Sequence, residues 1–215
     1  MYFKYSIRNF FIGLFPKPFE LAENAKLFFH ASKWRKRGFT VPLPNILKRS
    51  ILLRELLAHR ADVFVETGTF LGDTPWFLRK KVSKIVTFEV HPPLAELAIR
   101  RFKNSPNIQV IHGDSGAVLS ESVAELNGRV LFWLDGHYSR GITGMSFEEC
   151  PIFRELDAIR LHCKADLLIL IDDARDFGAH PEYPSVGQIE EYFQKHNLPV
   201  TIGVENDIIR VQRKS

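Results

Sequence analysis

The sequence predicts an α/β fold: a doubly wound sheet of seven strands, the last antiparallel, preceded by a helical N-terminal extension. Three observations predict it. From residue 61 onward, short apolar runs alternate with stretches of helical spacing. The runs are apolar at nearly every position, as strands buried on both faces must be, and such strands belong to parallel sheets covered by helices. Between the last two runs stand only Glu205, Asn206 and Asp207, a gap that allows a hairpin but no parallel crossover.

The elements follow in order. Residues 45–59 (NILKRSILLRELLAH) read as an amphipathic helix, with Asn45 as its cap and Leu47, Ile51, Leu52 and Leu56 as its apolar stripe. Residues 62–66 (DVFVE) give the first strand and 74–82 a helix. Residues 84–90 (KIVTFEV) and 93–103 form the next strand and helix, then 107–112 (NIQVIH) and 115–126. The fourth strand is 129–135 (RVLFWLD), followed by a helix over 146–162; the fifth is 166–172 (DLLILID), followed by a helix over 185–196. Strands at 201–204 and 208–212 close the sheet. Two parts result: an extension at 1–60 and the sheet domain at 61–215.

Composition narrows the function. Residues 1–60 hold 12 Lys/Arg against 3 Asp/Glu, a net of +9, and the remaining residues hold 17 against 22, a net of −5. The basic character therefore belongs to the N-terminal arm, which argues against nucleic acid as a partner of the whole protein. Cys150 and Cys163 form no C-x-x-C and no framework, so they read as free thiols in a reducing, cytoplasmic compartment. No apolar run approaches the roughly 20 residues that span a bilayer, and the start lacks the aliphatic core and small-residue site of a signal peptide.

Ligands of an open α/β sheet collect outside the carboxyl ends of its strands. Here an acid follows each of the first five: Glu66, Glu89, Asp114, Asp135, and the pair Asp172-Asp173. The turn after the first strand reads ETGTFLGDT and departs from G-x-G-x-x-G at Phe70. No Lys or Arg lies between Phe64 and Phe77, so a pyrophosphate would be poorly served and a dinucleotide is disfavoured. Glu89, some 20 residues past the turn, is placed for a ribose diol. Asp114 is placed for an adenine, Glu66 for an ammonium, and the loop amides with Thr74 for a carboxylate. An adenosine with a zwitterionic tail meets these demands, which points to S-adenosylmethionine.

The run Glu66-Thr67-Gly68-Thr69-Phe70-Leu71-Gly72-Asp73-Thr74 resembles the E-x-G-[TA]-[YF]-x-G-x-[ST] loop of the catechol-type, metal-dependent O-methyltransferases, which are Rossmann-like class I S-adenosylmethionine enzymes. LFWLDGHYS and LLILIDD resemble that family's metal motifs after strands four and five, with the macrocin-type sugar O-methyltransferases as the nearest group. The similarity covers about residues 60–213. It implies cofactor contacts from Glu66, Gly68, Thr69, Phe70, Gly72, Thr74, Glu89, Asp114, Ser115 and Asp135, and a Mg2+ ion on Asp135, Asp172 and Asp173. Three carboxylates without cysteine suit such a hard cation. Adjacent strand residues point to opposite faces, so Asp172 and Asp173 can share an ion only where the strand has already ended. His137, two residues past Asp135, stands where these relatives carry an acidic base, and joins Asp135 as the catalytic candidate. Tyr138, Arg140, Arg175, His180 and Tyr183 are candidates for the acceptor's walls.

The expected activity is Mg2+-dependent methylation of a hydroxyl on a diol acceptor, a sugar of a glycan or glycosylated metabolite. Two rival classes stand beside it: a non-catalytic binding protein on the same fold, and a nucleic-acid methyltransferase using the basic arm. The second lacks an N-P-P-Y-like motif and a catalytic Cys motif. Residues 1–40 read either as a lid or dimer element or as an interfacial segment on anionic lipid, with Phe3, Phe10, Phe11 and Phe15 among Lys4, Arg8 and Lys17.

Overall fold

The computed structural model describes residues 16–38, 41–136 and 150–214. Helix α1 (Pro16–Lys36) and helix α2 (Asn45–His59) precede the sheet. The strands are β1 (Val63–Thr67), β2 (Lys84–Glu89), β3 (Ile108–His112), β4 (Arg129–Leu134), β5 (Asp166–Ile171), β6 (Val200–Glu205) and β7 (Ile208–Arg213). Between them run α3 (Asp73–Leu78), α4 (Pro92–Phe102), α5 (Ser115–Val123), α6 (Ile152–His162) and α7 (Val186–Lys195). Strand order is β3-β2-β1-β4-β5-β7-β6, with β1 to β5 parallel and β7 antiparallel to both neighbours. This is the doubly wound sheet with an antiparallel last strand that the sequence predicts.

Alternation along the strands sorts two apolar layers. Val63, Val65, Phe132 and Ile169 face α5, α6 and α7 through Leu119, Leu156 and Ile189. Phe64, Ile85, Leu131, Trp133 and Leu168 face the other way, onto Leu52 and Leu56 of α2, Trp76 and Leu78 of α3, and Ala98 and Phe102 of α4. Helix α2 thus shares an apolar layer with the sheet. The order reverses between β1 and β4, and the crevice at their carboxyl ends is where such a sheet takes ligands.

Several boundaries differ from the sequence reading, each for a local reason. Pro44, not Asn45, takes the cap position of α2, and no side chain caps that end. The buried face of α2 is Lys48, Leu52, Glu55 and Leu56, with Leu47 and Ile51 only half-buried. Helix α3 stops at Leu78 rather than residue 82, and there the Arg79 guanidinium folds back onto the Trp76 carbonyl and stacks 3.8 Å from its ring. Helix α1 belongs to the helical extension that the sequence predicts, although its bounds were not placed: it shows no apolar stripe, and Phe28 and Phe29 point outward at 80% and 63% exposure. Lys33, Arg35 and Lys36 in its last turn complement the helix dipole. No described helix is long and apolar enough to cross a membrane. Cys150 and Cys163 are buried and form no disulfide.

Candidate functional site

One cleft of about 310 Å3 opens over the carboxyl ends of β1, β2, β4 and β5, with α2 forming its far wall. The loop leaving β1 builds its floor. Gly68 turns the chain at φ +85°, and a Cβ there would lie 2.5 Å from the Asp135 carbonyl oxygen. The amides of Gly68 and Thr69 both donate to the Phe88 carbonyl, at 2.9 Å each. Phe70 follows at φ +49° with its amide donating to Glu89 Oε2 at 2.7 Å, so the loop is tied to the end of β2.

Gly68→Ala is therefore expected to be costly. The side chain meets backbone rather than a yielding side chain, and the positive φ adds strain. We expect a loss of about 3 kcal/mol in urea-unfolding stability. A variant within about 0.5 kcal/mol of the wild type would show that β4 can yield.

Beneath the loop lies Glu66, 2% exposed, which accepts from the Thr87 hydroxyl at 2.8 Å; Thr87 in turn bonds Thr69 at 2.6 Å. Burial raises the Glu66 carboxyl to about 8, with nearby Glu89 and Asp73 adding to the rise against hydrogen bonds from Thr87 and Thr74. A cationic ligand group above it would restore its charge. Glu89 is buried too, which raises its pKa, while the amides of His91 (2.9 Å) and Phe70 oppose the rise. Each of its oxygens retains a lone pair for a diol.

Asp114 caps α5 through the Gly116 amide at 2.9 Å and pairs with Arg154 at 3.2 Å. Behind it is a residue that the sequence reading passed over. Glu155, fully buried on α6, accepts from the Ser115 hydroxyl at 2.5 Å. A Cβ on Gly136 would come within 3.2 Å of it and of Thr67, whose hydroxyl accepts from the amides of Asp135 and Gly136 at 3.1 Å. Glu155 thus underlies three edges of the cleft at once, and burial raises its pKa to about 7. The signal was an acid at 155 among Ile152, Leu156 and Ile159, on the apolar face of a helix.

The third part is acidic. One carboxylate oxygen each from Asp135, Asp172 and Asp173 lies within 4.8 Å of the others. Strand β5 has ended at Ile171, and Asp173 adopts the left-handed conformation at φ +55°, ψ +44°. That turn brings the Asp172 and Asp173 carboxylates together, and the Asp173 side chain makes no cap bond to the turn that follows. Burial, then Asp172, raises the Asp135 pKa. Between the two neighbours lies a cation from the extension: Lys48 Nζ is 2.5 Å from Asp172 Oδ2 and 2.8 Å from Asp173 Oδ1. Arg175 reaches Asp173 from outside at 2.9 Å and also pairs with Asp207.

The cleft gathers Glu66, Gly68, Thr69, Phe70, Thr74 and Glu89 with Asp114, Ser115, Asp135, Asp172 and Asp173. Gly72 does not line it; the absence of a Cβ there makes room for the Phe102 ring, which one would approach to 2.8 Å. Arg175 reaches the cluster only through Asp173, while His180 and Tyr183 pack on each other, and Tyr183 on Phe177, away from the lining. His137, Tyr138 and Arg140 lie outside the described residues. Lys48, Arg49 and Asn45 of α2 line the wall and were not anticipated there.

No family model matches the chain, and no curated protein matches it by sequence. Solved structures do. The SAH-bound methyltransferase PaMTH1 of Podospora anserina superposes with a TM-score of 0.56 at 17% identity, over 88% of each chain. The O-methyltransferase TomG of Streptomyces achromogenes, involved in tomaymycin synthesis and solved with SAM, gives 0.55 at 15% identity, over 88% of this chain and 89% of that one. The methyltransferase domain of bacterial CtHen1-CN gives 0.55 at 11% identity, over 79% of this chain and 99% of that one. Likeness at such identities establishes the fold: the chain has the α/β fold of S-adenosylmethionine-dependent methyltransferases.

Proposed function

We propose that the protein is an S-adenosylmethionine-dependent O-methyltransferase that acts on a diol at the Asp135, Asp172 and Asp173 cluster. One observation carries the reading. The acids at the ends of β1, β2, β4 and β5 converge on a single cleft, and the Gly68 turn at its floor brings the β1 loop against the Asp135 backbone. Glu66 would balance the methionine ammonium, and Glu89 would accept from the ribose hydroxyls. The loop amides with Thr74 at the start of α3 would receive the methionine carboxylate. The bound cofactor supplies a methyl group on a sulfonium centre.

The donor set of the cluster, three hard oxygens within 4.8 Å of one another, suits a divalent cation such as Mg2+, which would draw the carboxylates closer together. Asp135, Asp172 and Asp173 would hold it, and when bound it supplies a lowered hydroxyl pKa and a fixed acceptor orientation. His137 is proposed to take the hydroxyl proton. Lys48 is not that base, because the two carboxylates it touches oppose its desolvation and raise its pKa. The acceptor is proposed to be a sugar diol of a glycan or glycosylated metabolite, in keeping with the sugar-methylating enzymes that the motifs resemble.

Calorimetry on the full chain tests the reading. S-adenosylhomocysteine should bind with a Kd of about 1–100 μM. No heat of binding at high protein concentration would end the proposal.

A further inference from the structure

We infer that Lys48 is a built-in counter-ion of the three-acid cluster, which a divalent cation must displace, so that α2 of the N-terminal extension sets the affinity of the site for metal. The inference rests on the metal clause of the proposed function and adds a regulator to it.

The geometry makes the two occupants exclusive. A Mg2+ ion takes carboxylate oxygens at about 2.0–2.1 Å. The ammonium already lies 2.5 Å from Asp172 Oδ2 and 2.8 Å from Asp173 Oδ1. An ion on those two oxygens would occupy the ammonium's place, and the remaining gap cannot hold two cations in contact. The Lys48 side chain is 11% exposed and the Asp172 side chain 1%, so little water screens their attraction. The cluster without Lys48 would place three acids together with Arg175 on the outer one alone.

Withdrawal of Lys48 does not require the helix to leave. Lys48 is in the first turn of α2, while the anchors of that helix lie farther along. Leu52 and Leu56 are each 1% exposed, and Glu55 accepts from Arg210 Nε of β7 at 2.9 Å. A flexible four-carbon side chain can swing out from a fixed backbone. The exchange is therefore a local one: a single charge leaves and a double charge enters. Each state of the cluster has a cation, and the apo protein never carries the bare carboxylates.

The test compares wild type, Lys48→Met and Lys48→Arg as full chains at fixed pH. Binding of Mn2+ is followed by electron paramagnetic resonance, and unfolding temperature is measured in EDTA and in millimolar Mg2+. Lys48→Met should bind Mn2+ at least about tenfold more tightly than wild type, because no resident charge competes. Its unfolding temperature should fall in EDTA and recover in Mg2+, whereas wild type should respond weakly. Lys48→Arg should keep the weak binding of wild type. Lys48→Gln run in parallel, which retains a polar head, keeps the comparison available if the methionine variant folds poorly. Equal Mn2+ affinity in wild type and the neutral variants, no Mn2+ binding by any of them, or a stability loss that Mg2+ does not restore would each overturn the inference. Calorimetry with S-adenosylhomocysteine on the same samples separates the two failures. A Mn2+ contrast without cofactor binding sinks the methyltransferase reading and leaves Lys48; cofactor binding without the contrast does the reverse.

Discussion

Asp172→Ala is expected to lower methyl transfer on the order of 1,000-fold, the scale seen when one electrostatic partner of a reacting oxygen is removed. The rate is read as S-adenosylhomocysteine released with a panel of diol acceptors. Asp172 is 1% exposed, and both its oxygens are committed: Oδ1 accepts the Asp173 amide at 2.8 Å and Oδ2 meets Lys48. Alanine removes a ligand of the proposed cation and also the group that holds Asp173 in register. The cofactor groups Glu66, Gly68 and Glu89 belong to the β1 and β2 ends, two strand positions away from β5 or more. Cofactor affinity should therefore change by less than about threefold, as expected of independent sites. Asp172→Asn separates chemistry from packing, since the amide keeps the shape and still accepts the Asp173 amide bond. Both variants should lose turnover and stability, since asparagine turns an amide NH2 toward Lys48, with alanine losing more because it also gives up the Asp173 amide bond. Turnover that survives Asp172→Ala and is indifferent to EDTA would remove the acid cluster from the reaction.

Why this cluster was legible, and its cation was not, has a physical explanation. Strands buried on both faces leave continuous apolar runs, and an acid that ends such a run is at the sheet's carboxyl edge wherever the strand pairs. Glu66, Glu89, Asp135 and Asp172 could thus be assigned to one edge before any coordinates, because the βα rhythm already fixes which end of each strand is the open one. The Asp172 and Asp173 question, two adjacent residues aiming at one point, needed the left-handed turn at Asp173, which no residue type announces. Lys48 carried a signal that the sequence reading passed over. It stands four residues before Leu52 on the buried face of α2, with Glu55 and Leu56 completing that face. Charged residues on an apolar face are either solvated at its border or paired across an interface. One sequence cannot tell these apart, because the partners lie 124 and 155 positions away. Glu155 is the same case on α6. The bounds of α1 were missed for another reason: its sequence carries no apolar stripe, so periodicity had nothing to place them by.

The buried carboxyls also predict an unusual pH profile for the apo protein. Glu66 is raised from 4.5 to about 8 and Glu155 from 4.5 to about 7, each chiefly by burial. Between the unfolded and folded values the native state holds protons that the unfolded chain has released. Stability therefore falls as pH rises, by about 1.4 kcal/mol per pH unit per group. From pH 5 to 8 Glu66 would remove roughly 3–4 kcal/mol, and from pH 5 to 7 Glu155 roughly 2 kcal/mol. The raised Asp135 acts in the same direction. The carboxyls that partners hold low, Asp157 and Asp173, lose their contribution below the ordinary 3.8, outside this window. Urea midpoints should thus be higher at pH 5.5 than at pH 8, the reverse of a protein held by surface ion pairs. Glu66→Gln should flatten the slope most between pH 7 and 8, where Glu155 has finished titrating, and should raise stability at pH 8. S-adenosylmethionine should do likewise by another route. Its ammonium beside Glu66 favours the carboxylate, so binding at pH 7 should release about one proton. Calorimetric enthalpies would then vary with the ionisation enthalpy of the buffer. A wild-type midpoint that is flat or rises from pH 5.5 to 8 would place Glu66 and Glu155 in contact with water, and a cofactor enthalpy independent of buffer would remove Glu66 from the ammonium site.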